Sequence, residues 1–311
     1  MDALHAVGKK AGAHLLLRSL GASTLCRSKA GAAPLLLSQQ RRHYADPGKY
    51  IQVERDIVCE DIAIVKMNKK PVNSMCGDFM RELSVTLEKL RNNETYRGAI
   101  LTSAKPGIFS AGLDINEMYQ RSTDHISVFW RTIHEFWLGL YGTDLAMVAA
   151  INGHAPAGGC LMALSCDYRI MSQGDYIIGL NETQLGILPP FWLQELMARA
   201  CGDREAEMGL QLGTLYTPEE ALKIGLVDEV APLDSVVDRA REQVIKWLKI
   251  PDYARVVTKG MQRGPLLKKL QASQEEEVAF NAEFIHREST QDVIEKYLMS
   301  LKKKKKKVDG Q

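Results

Sequence analysis

Residues 147–151, Met-Val-Ala-Ala-Ile, form an unbroken apolar run that stops at Asn152-Gly153 and Pro156. A run this short with no polar residue to turn toward water predicts a strand buried on both faces. Ala99-Ile100-Leu101 is a second such run, broken by Lys105-Pro106-Gly107, and Ile62, Ile64 and Val65 mark a third, stopped by Asn68-Lys69-Lys70-Pro71. Helical patterns lie between and after them. Met80, Leu83, Leu87 and Leu90 recur at helical spacing, and an amphipathic stretch covers about 122–142. A helix is expected over about 158–166, extended chain near 168–171 and 176–179, and helices at about 190–200 and 204–212. Residues 45–60 look extended or irregular. Thr217-Pro218-Glu219-Glu220 starts another helix, with a cap, a Pro in the first turn and a Glu at the capping-box position. Gly225 closes that helix, and a last short strand is expected over 226–230. From about 232 onward the pattern is almost wholly helical. Strand–loop–helix alternation predicts an α/β fold. The tail carries Phe280, Phe284, Tyr297 and Leu298, which must find cover on the chain's own body or on a sister subunit.

Charge divides the chain. Residues 1–43 hold seven Lys or Arg and one acid, Asp2, for a net charge of +6, and the remainder carries −4. A basic leader rich in Ser, Ala and Leu predicts a mitochondrial transit peptide over 1–44, cut after Tyr44, and a home in the matrix. The body divides into a core over 45–240 and a helical region with a basic tail over 241–311. No apolar run approaches the ~20 residues a membrane span needs. Beyond the leader there are five cysteines, Cys59, Cys76, Cys160, Cys166 and Cys201, with no Cys-x-x-Cys pair. That pattern points to reduced thiols rather than a disulfide framework. The body histidines show no ligand spacing, so no metal is expected. Residues 302–307 are six lysines. A solvated end is the simpler reading, with nucleic-acid or anionic-lipid contact as the alternative.

Three segments carry candidate chemistry. In Phe109-Ser110-Ala111-Gly112-Leu113-Asp114, small residues permit close approach of a ligand to the backbone and leave the N–H of Leu113 free. Asp114 and Glu117 have N-cap-to-N3 spacing, which makes Asp114 a helix cap before a catalytic group. Asn152-Gly153-His154-Ala155-Pro156-Ala157-Gly158-Gly159-Cys160 has the glycine spacing of a phosphate loop. Gly159 and Cys160, however, occupy its Lys and Ser/Thr places, so backbone N–H groups suit an oxyanion better than a nucleotide triphosphate. In the third segment Glu182 sits among Ile178, Leu180, Leu185, Ile187, Phe191 and Trp192. Apolar company raises a carboxyl pKa and suits a general base near neutrality, or else Glu182 is an exposed residue between structural segments.

Taken in order, Ser110-Ala111-Gly112-Leu113-Asp114, Ala157-Gly158-Gly159-Cys160 and Glu182 resemble the crotonase, or enoyl-CoA hydratase/isomerase, family from about residue 50 to the C-terminus. The resemblance implies a spiral of strand–strand–helix (ββα) units with a C-terminal helical trimerisation region, an acyl-CoA substrate and a homotrimer. It implies a thioester oxygen held between the N–H groups of Leu113 and Gly158. It also places Ser110, Ala111, Gly112, Asp114, Ile115 and Asn181 near the substrate, with Lys70 of the Lys69-Lys70-Pro71-Val72-Asn73-Ser74 loop beside the CoA. Hydratases of the family carry a further glutamate directly after Gly-Gly-Cys, where this chain has Leu161. One remaining carboxylate, Glu182, favours a 1,3-proton shift that moves a double bond from C3 to C2 over addition of water. No cofactor is then expected beyond the CoA of the substrate. A residual hydratase and an RNA-binding protein of this fold are the alternatives.

Overall fold

A computed structural model describes residues 48–309, with side chains described through residue 303. The predicted leader lies outside the described residues. The large sheet has six strands in the order β1 (Ile51–Arg55), β2 (Ile62–Met67), β3 (Gly98–Ser103), β5 (Ala146–Ile151), β7 (Tyr168–Ser172) and β9 (Glu229–Ala231). All neighbours are parallel except β1, which pairs antiparallel with β2. The unbroken apolar runs follow from this position. Val65, Leu101, Met147 and Ala149 face the main core, while Ile64, Ile100, Val148 and Ala150 face a second cluster. With both faces covered, a strand has no reason to alternate apolar and polar residues. Polar Thr102 remains buried in β3 because its hydroxyl donates to Ala150 O at 2.8 Å.

Three short strands form a second parallel sheet in the order β4 (Gly107–Ile108), β6 (Gly153–Pro156) and β8 (Ile178–Gly179). Each follows directly on a strand of the large sheet: β3 then β4, β5 then β6, β7 then β8. Helices α1 (Gly77–Asn92), α2 (Thr123–Tyr141), α3 (Gly158–Ser165) and α4 (Phe191–Cys201) close the successive turns. The ββα spiral expected from the resemblance is thus present. The four periodic residues of α1 are all buried. Two further helices, α5 (Asp203–Leu212) and α6 (Pro218–Lys223), precede β9. Thr217 caps α6 in a full capping box with Glu220.

Residues 51–55, within the stretch read as extended or irregular, form an edge strand. One local expectation is corrected. The last strand begins at Glu229, three residues late, because Leu226 and Val227 are buried in the turn that follows α6, where both N–H groups bond to Ala221 O. Helix α7 (Val236–Leu248) packs across β3, β5 and β7 and supplies Val236, Ala240 and Val244 to the second cluster.

The 35-residue helix α8 (Asp252–His286) lies along α2. A buried carboxylate, Asp167, pins it. Lys259 Nζ lies 2.8 Å from one oxygen and Arg263 Nη2 2.7 Å from the other. Both cations also donate to carbonyls, Lys259 to Leu145 O and Arg263 to Tyr141 O and Ser165 O. Burial pulls the Lys259 ammonium down to about 8, against the pull of Asp167. The last helix, α9 (Glu288–Asp309), turns back over the body. The expected apolar face therefore divides. Tyr297 and Leu298 cover the chain's own core, while Phe280 stays half exposed, stacked on Phe284 at 6.2 Å. The backbone of the lysine run continues α9, and Lys302 and Lys303 are exposed. Among the described residues no helix is long and apolar enough to cross a membrane.

Candidate active site

The small sheet brings the three candidate segments together. Gly107 pairs with Gly153 and Ile108 with His154, then Ala155 pairs with Ile178 and Pro156 with Gly179. Parallel pairing places the chain leaving β4, β6 and β8 at one end of that sheet. What leaves is residues 110–114, Ala157-Gly158 and residues 180–182 respectively. Residues more than sixty apart in sequence become neighbours through register alone.

The first segment is fastened from behind. Ser110 O–H donates to Asn73 O at 2.8 Å, and its oxygen accepts the N–H of Gly112 at 3.2 Å. Asn73, fully buried, donates from its amide to Ser103 Oγ and Phe109 O and accepts the N–H of Lys69. Sequence reading placed Asn73 only as a loop member, yet it fixes the Lys69–Lys70 loop to the strand ends. Met75 N donates to Gly112 O and Asp114 N to Met75 O. Between them the N–H of Leu113 has no protein acceptor among the described residues, nor has that of Gly158. The two backbones nearly touch, since a Cβ added at Gly158 would lie 3.2 Å from Leu113 N. Gly158 opens α3, where unpaired N–H groups carry partial positive charge. The residue before it, Ala157, holds φ +48°, a costly conformation for a side-chain-bearing residue.

Asp114 caps as expected, but the element is a 3-10 turn, Ile115–Glu117, rather than a long helix. Its Oδ1 accepts from Asn116 N and Nδ2, and its Oδ2 from Lys69 Nζ at 3.2 Å. Burial opposes ionisation of Asp114, but the bonds from Asn116 and Lys69 outweigh it and hold the carboxyl below its ordinary range. Glu117 has the N3 spacing but closes no capping box with Asp114. Its carboxylate pairs with His125 at 2.7 Å and accepts Gly77 N at 3.3 Å instead of returning to Asp114.

Glu182 begins a 3-10 turn, Glu182–Leu185, and is 8% exposed. No cation pairs with it among the described residues, and its Oε2 has no hydrogen-bond partner. Burial raises its carboxyl to about 7, against a smaller opposing effect of its own backbone N–H. The exposed-residue reading is thereby excluded. Glu182, Leu113 and Gly158 line one cavity of about 360 Å³. Ala111, Asp114, Ile115 and Lys70 line it too, with Lys69 and Ser74 beside them. Ser110 and Gly112 do not; they brace the wall from behind. Asn181 is also absent from the lining, and its Oδ1 is buried without a partner. Leu161 lines the cavity together with Trp130 and Trp192, so the wall is apolar where a second carboxylate would stand.

Sequence reading missed part of this wall. Trp130 and Ile133 come from α2, and Tyr297, Leu298 and Leu301 from α9. The α9 residues have helical spacing, which signals burial but not against what. Trp130 and Ile133 look like any apolar helix face. A larger open groove, about 800 Å³, runs along α4 and α5 and has mixed charges, Glu195, Arg199, Asp203 and Glu207 among them. It holds none of the candidate residues. Among the described residues no group of three or more His, Cys, Asp or Glu could hold a metal ion, and Cys59, Cys76, Cys160, Cys166 and Cys201 form no disulfide.

Comparison with known proteins shows the family and the fold. The sequence model for the family described as enoyl-CoA hydratase/isomerase matches residues 58–307. Mitochondrial enoyl-CoA delta isomerase 1 of Rattus norvegicus is 50% identical over 245 residues, spanning 78% of this chain and 85% of that protein. The crystal structure of human mitochondrial delta3-delta2-enoyl-CoA isomerase superposes with a TM-score of 0.81 at 45% identity, covering 83% of this chain and all of that one. An enoyl-CoA hydratase from Bacillus halodurans, 22% identical over 79% of this chain and 99% of that chain, shares the fold with a TM-score of 0.71.

Proposed function

Because the chain belongs to the enoyl-CoA hydratase/isomerase family, we propose that it works as a mitochondrial Δ3,Δ2-enoyl-CoA isomerase, converting cis- or trans-3-enoyl-CoA into trans-2-enoyl-CoA with Glu182 as its base. The observation that carries the mechanism is a single unpaired carboxylate, lifted to about 7, sharing an apolar cavity with two backbone N–H groups that have no protein acceptor.

The chemistry follows from those groups. The thioester oxygen accepts from the N–H groups of Leu113 and Gly158. Glu182 takes a proton from C2, the dienolate charge gathers on the oxygen, and the donors hold it there. Neutral Glu182 then returns a proton to C4. Every proton removed is returned and no electrons leave the substrate, so the balance calls for no cofactor. Lys70 lines the cavity with charge suited to the phosphates of CoA, while Lys69 beside it is held by Asp114. Leu161 disfavours the hydratase alternative, because addition of water needs a second group to activate it and an apolar side chain does not serve.

A coupled assay that compares 3-enoyl-CoA isomerisation with 2-enoyl-CoA hydration tests the reading. Isomerisation should dominate, and its kcat/KM should fall about tenfold per pH unit below about 7 as Glu182 becomes protonated in the free enzyme. A hydration rate exceeding isomerisation, or a flat profile between about pH 5.5 and 8, would overturn it.

Residues 1–44 are further proposed to be an import leader that directs the protein to the matrix, and the body to assemble as a homotrimer. N-terminal sequencing of the mitochondrial protein should find Met1 absent, and sedimentation should give three copies. An intact Met1 or a monomer would refute the respective point.

A further inference from the structure

Helix α9 touches both loops that carry the proposed chemistry, and one side chain at its base makes the connection. The Gln291 amide makes three hydrogen bonds there. Its Nε2 donates to Ile285 O at 2.8 Å, at the end of α8, and to Met118 O at 3.1 Å. Its Oε1 accepts the N–H of Gln120 at 2.9 Å. Gln120 holds φ +50°, so this bond keeps a side-chain-bearing residue in a disfavoured conformation. Met118 is fully buried and lines the cavity, as do Ile115 and Asn116 just before it. Two residues beyond Gln291, Val293 packs on Gly186. A Cβ added at Gly186 would lie 3.2 Å from Val293 Cβ, and Gly186 closes the turn that begins with Glu182. Ile294 is then buried, and Tyr297, Leu298 and Leu301 reach the cavity. The helix thus spans from the loop of Leu113 to the turn of Glu182 and completes the apolar wall between them.

We propose that Gln291 is a positioning residue for the isomerisation. It latches α9 over the cavity, so that the base and the oxyanion donors stay in one space from which water is excluded. The inference rests on the function proposed above. Its physical basis is that a carboxylate acts as a base near neutrality only while its surroundings stay poor in water. Tyr297 and Leu298, which pack on the core and line the cavity, are carried by a helix whose near end is bonded through one amide to Met118 and Gln120, just beyond the proposed oxyanion loop.

The test uses the full-length enzyme with Gln291→Ala and Gln291→Met. The second variant keeps roughly the length of the side chain, loses its donors and acceptor and adds no charge, so it guards against an effect of a simple void. In both, kcat should drop on the order of tenfold, and the acid limb of the kcat/KM profile should move to lower pH as water reaches Glu182. The other titratable groups of the cavity, Lys69, Lys70, Asp114 and Tyr297, and Cys160 packed behind Glu182, are unchanged by either substitution. Hydrogen exchange at residues 118–120 and 294–301 should quicken while the global melting temperature changes little. Quicker exchange with kcat and acid limb unchanged would overturn the positioning role. So would loss of kcat with an unmoved limb and a parallel fall in melting temperature. Unaltered exchange would overturn the latch itself, and that readout stands even if the wild-type enzyme proved inactive toward 3-enoyl-CoA.

Discussion

Glu182→Gln should lower kcat for 3-enoyl-CoA isomerisation by about 10²–10⁴-fold, with KM and acyl-CoA affinity little changed. Glutamine keeps the shape of the side chain and can still hydrogen-bond, but it cannot accept the C2 proton. The proposed oxyanion donors are backbone groups of Leu113 and Gly158, contributed by other loops, so the substitution leaves them in place. The same variant should change stability in a pH-dependent way. The Glu182 carboxyl titrates near 7 in the folded protein against an ordinary value of 4.5. Between those values the unfolded chain has already released a proton that the folded protein retains, so native stability falls as pH rises through this window. The accumulated loss is about 3 kcal/mol above pH 7 and is absent below 4.5. An uncharged amide avoids it, less whatever the buried amide loses for want of partners. Thermal melts at pH 8 should therefore place Glu182→Gln above the wild type, with the difference closing toward pH 4.5. Near-normal turnover in this variant would rule out the single-carboxylate mechanism, and Asp114 would be the next group to examine.

Gly112→Ala should lower kcat by about 10²–10³-fold, the usual consequence of losing one oxyanion donor. Gly112 does not touch the cavity, yet it sets the distance between the donors. Its φ is +86°, and an added Cβ would lie 3.0 Å from both Gly158 N and Ala157 Cβ and 3.2 Å from Pro156 O. These are backbone atoms or a Cβ on a short, fully seated segment, so they have no flexible end to give way. Holding alanine in that conformation costs about 1–3 kcal/mol, and the strain is relieved by moving the Leu113 loop away from the start of α3. The two N–H groups then no longer converge on one oxygen. Gly139, in open space on α2, is the matched control: Gly139→Ala should leave kcat unchanged and stabilise the helix slightly. A Gly112→Ala enzyme with kcat within about twofold of wild type would mean that the charge on the oxygen is held elsewhere.

Much of the fold was legible because its signals are local. Residues 147–151 and 99–101 could be recognised as buried strands since an unbroken apolar run has no other short-range solution, and β5 and β3 enclose them. Thr217 with Glu220 was readable because both halves of a capping box lie three residues apart. The same locality explains the misreading at Leu226-Val227, where an apolar pair suits a strand and a buried turn equally. The site was partly legible for a similar reason. Glycine spacing before α3 and apolar neighbours around Glu182 are written in consecutive residues, and family resemblance joined them into one reaction. The partners of Glu117 could not be read that way, since His125 and Gly77 lie outside the Asp114–Glu117 spacing.

Alone, the sequence determined the buried central strands, the glycine-rich loops that leave backbone donors free, and that one carboxylate stands where the proposed chemistry needs it. The tertiary structure decided that these segments meet. Parallel register in the β4–β6–β8 sheet stacks three loop ends that lie dozens of residues apart, and no local pattern encodes a register between strands. It also decided that α2 and α9 complete the wall, and that Gln291 bonds to Met118 and Gln120 across more than 170 residues of chain. Burial by such distant partners is what raises the Glu182 carboxyl to about 7, because desolvation depends on everything that surrounds a group and not on its neighbours in sequence.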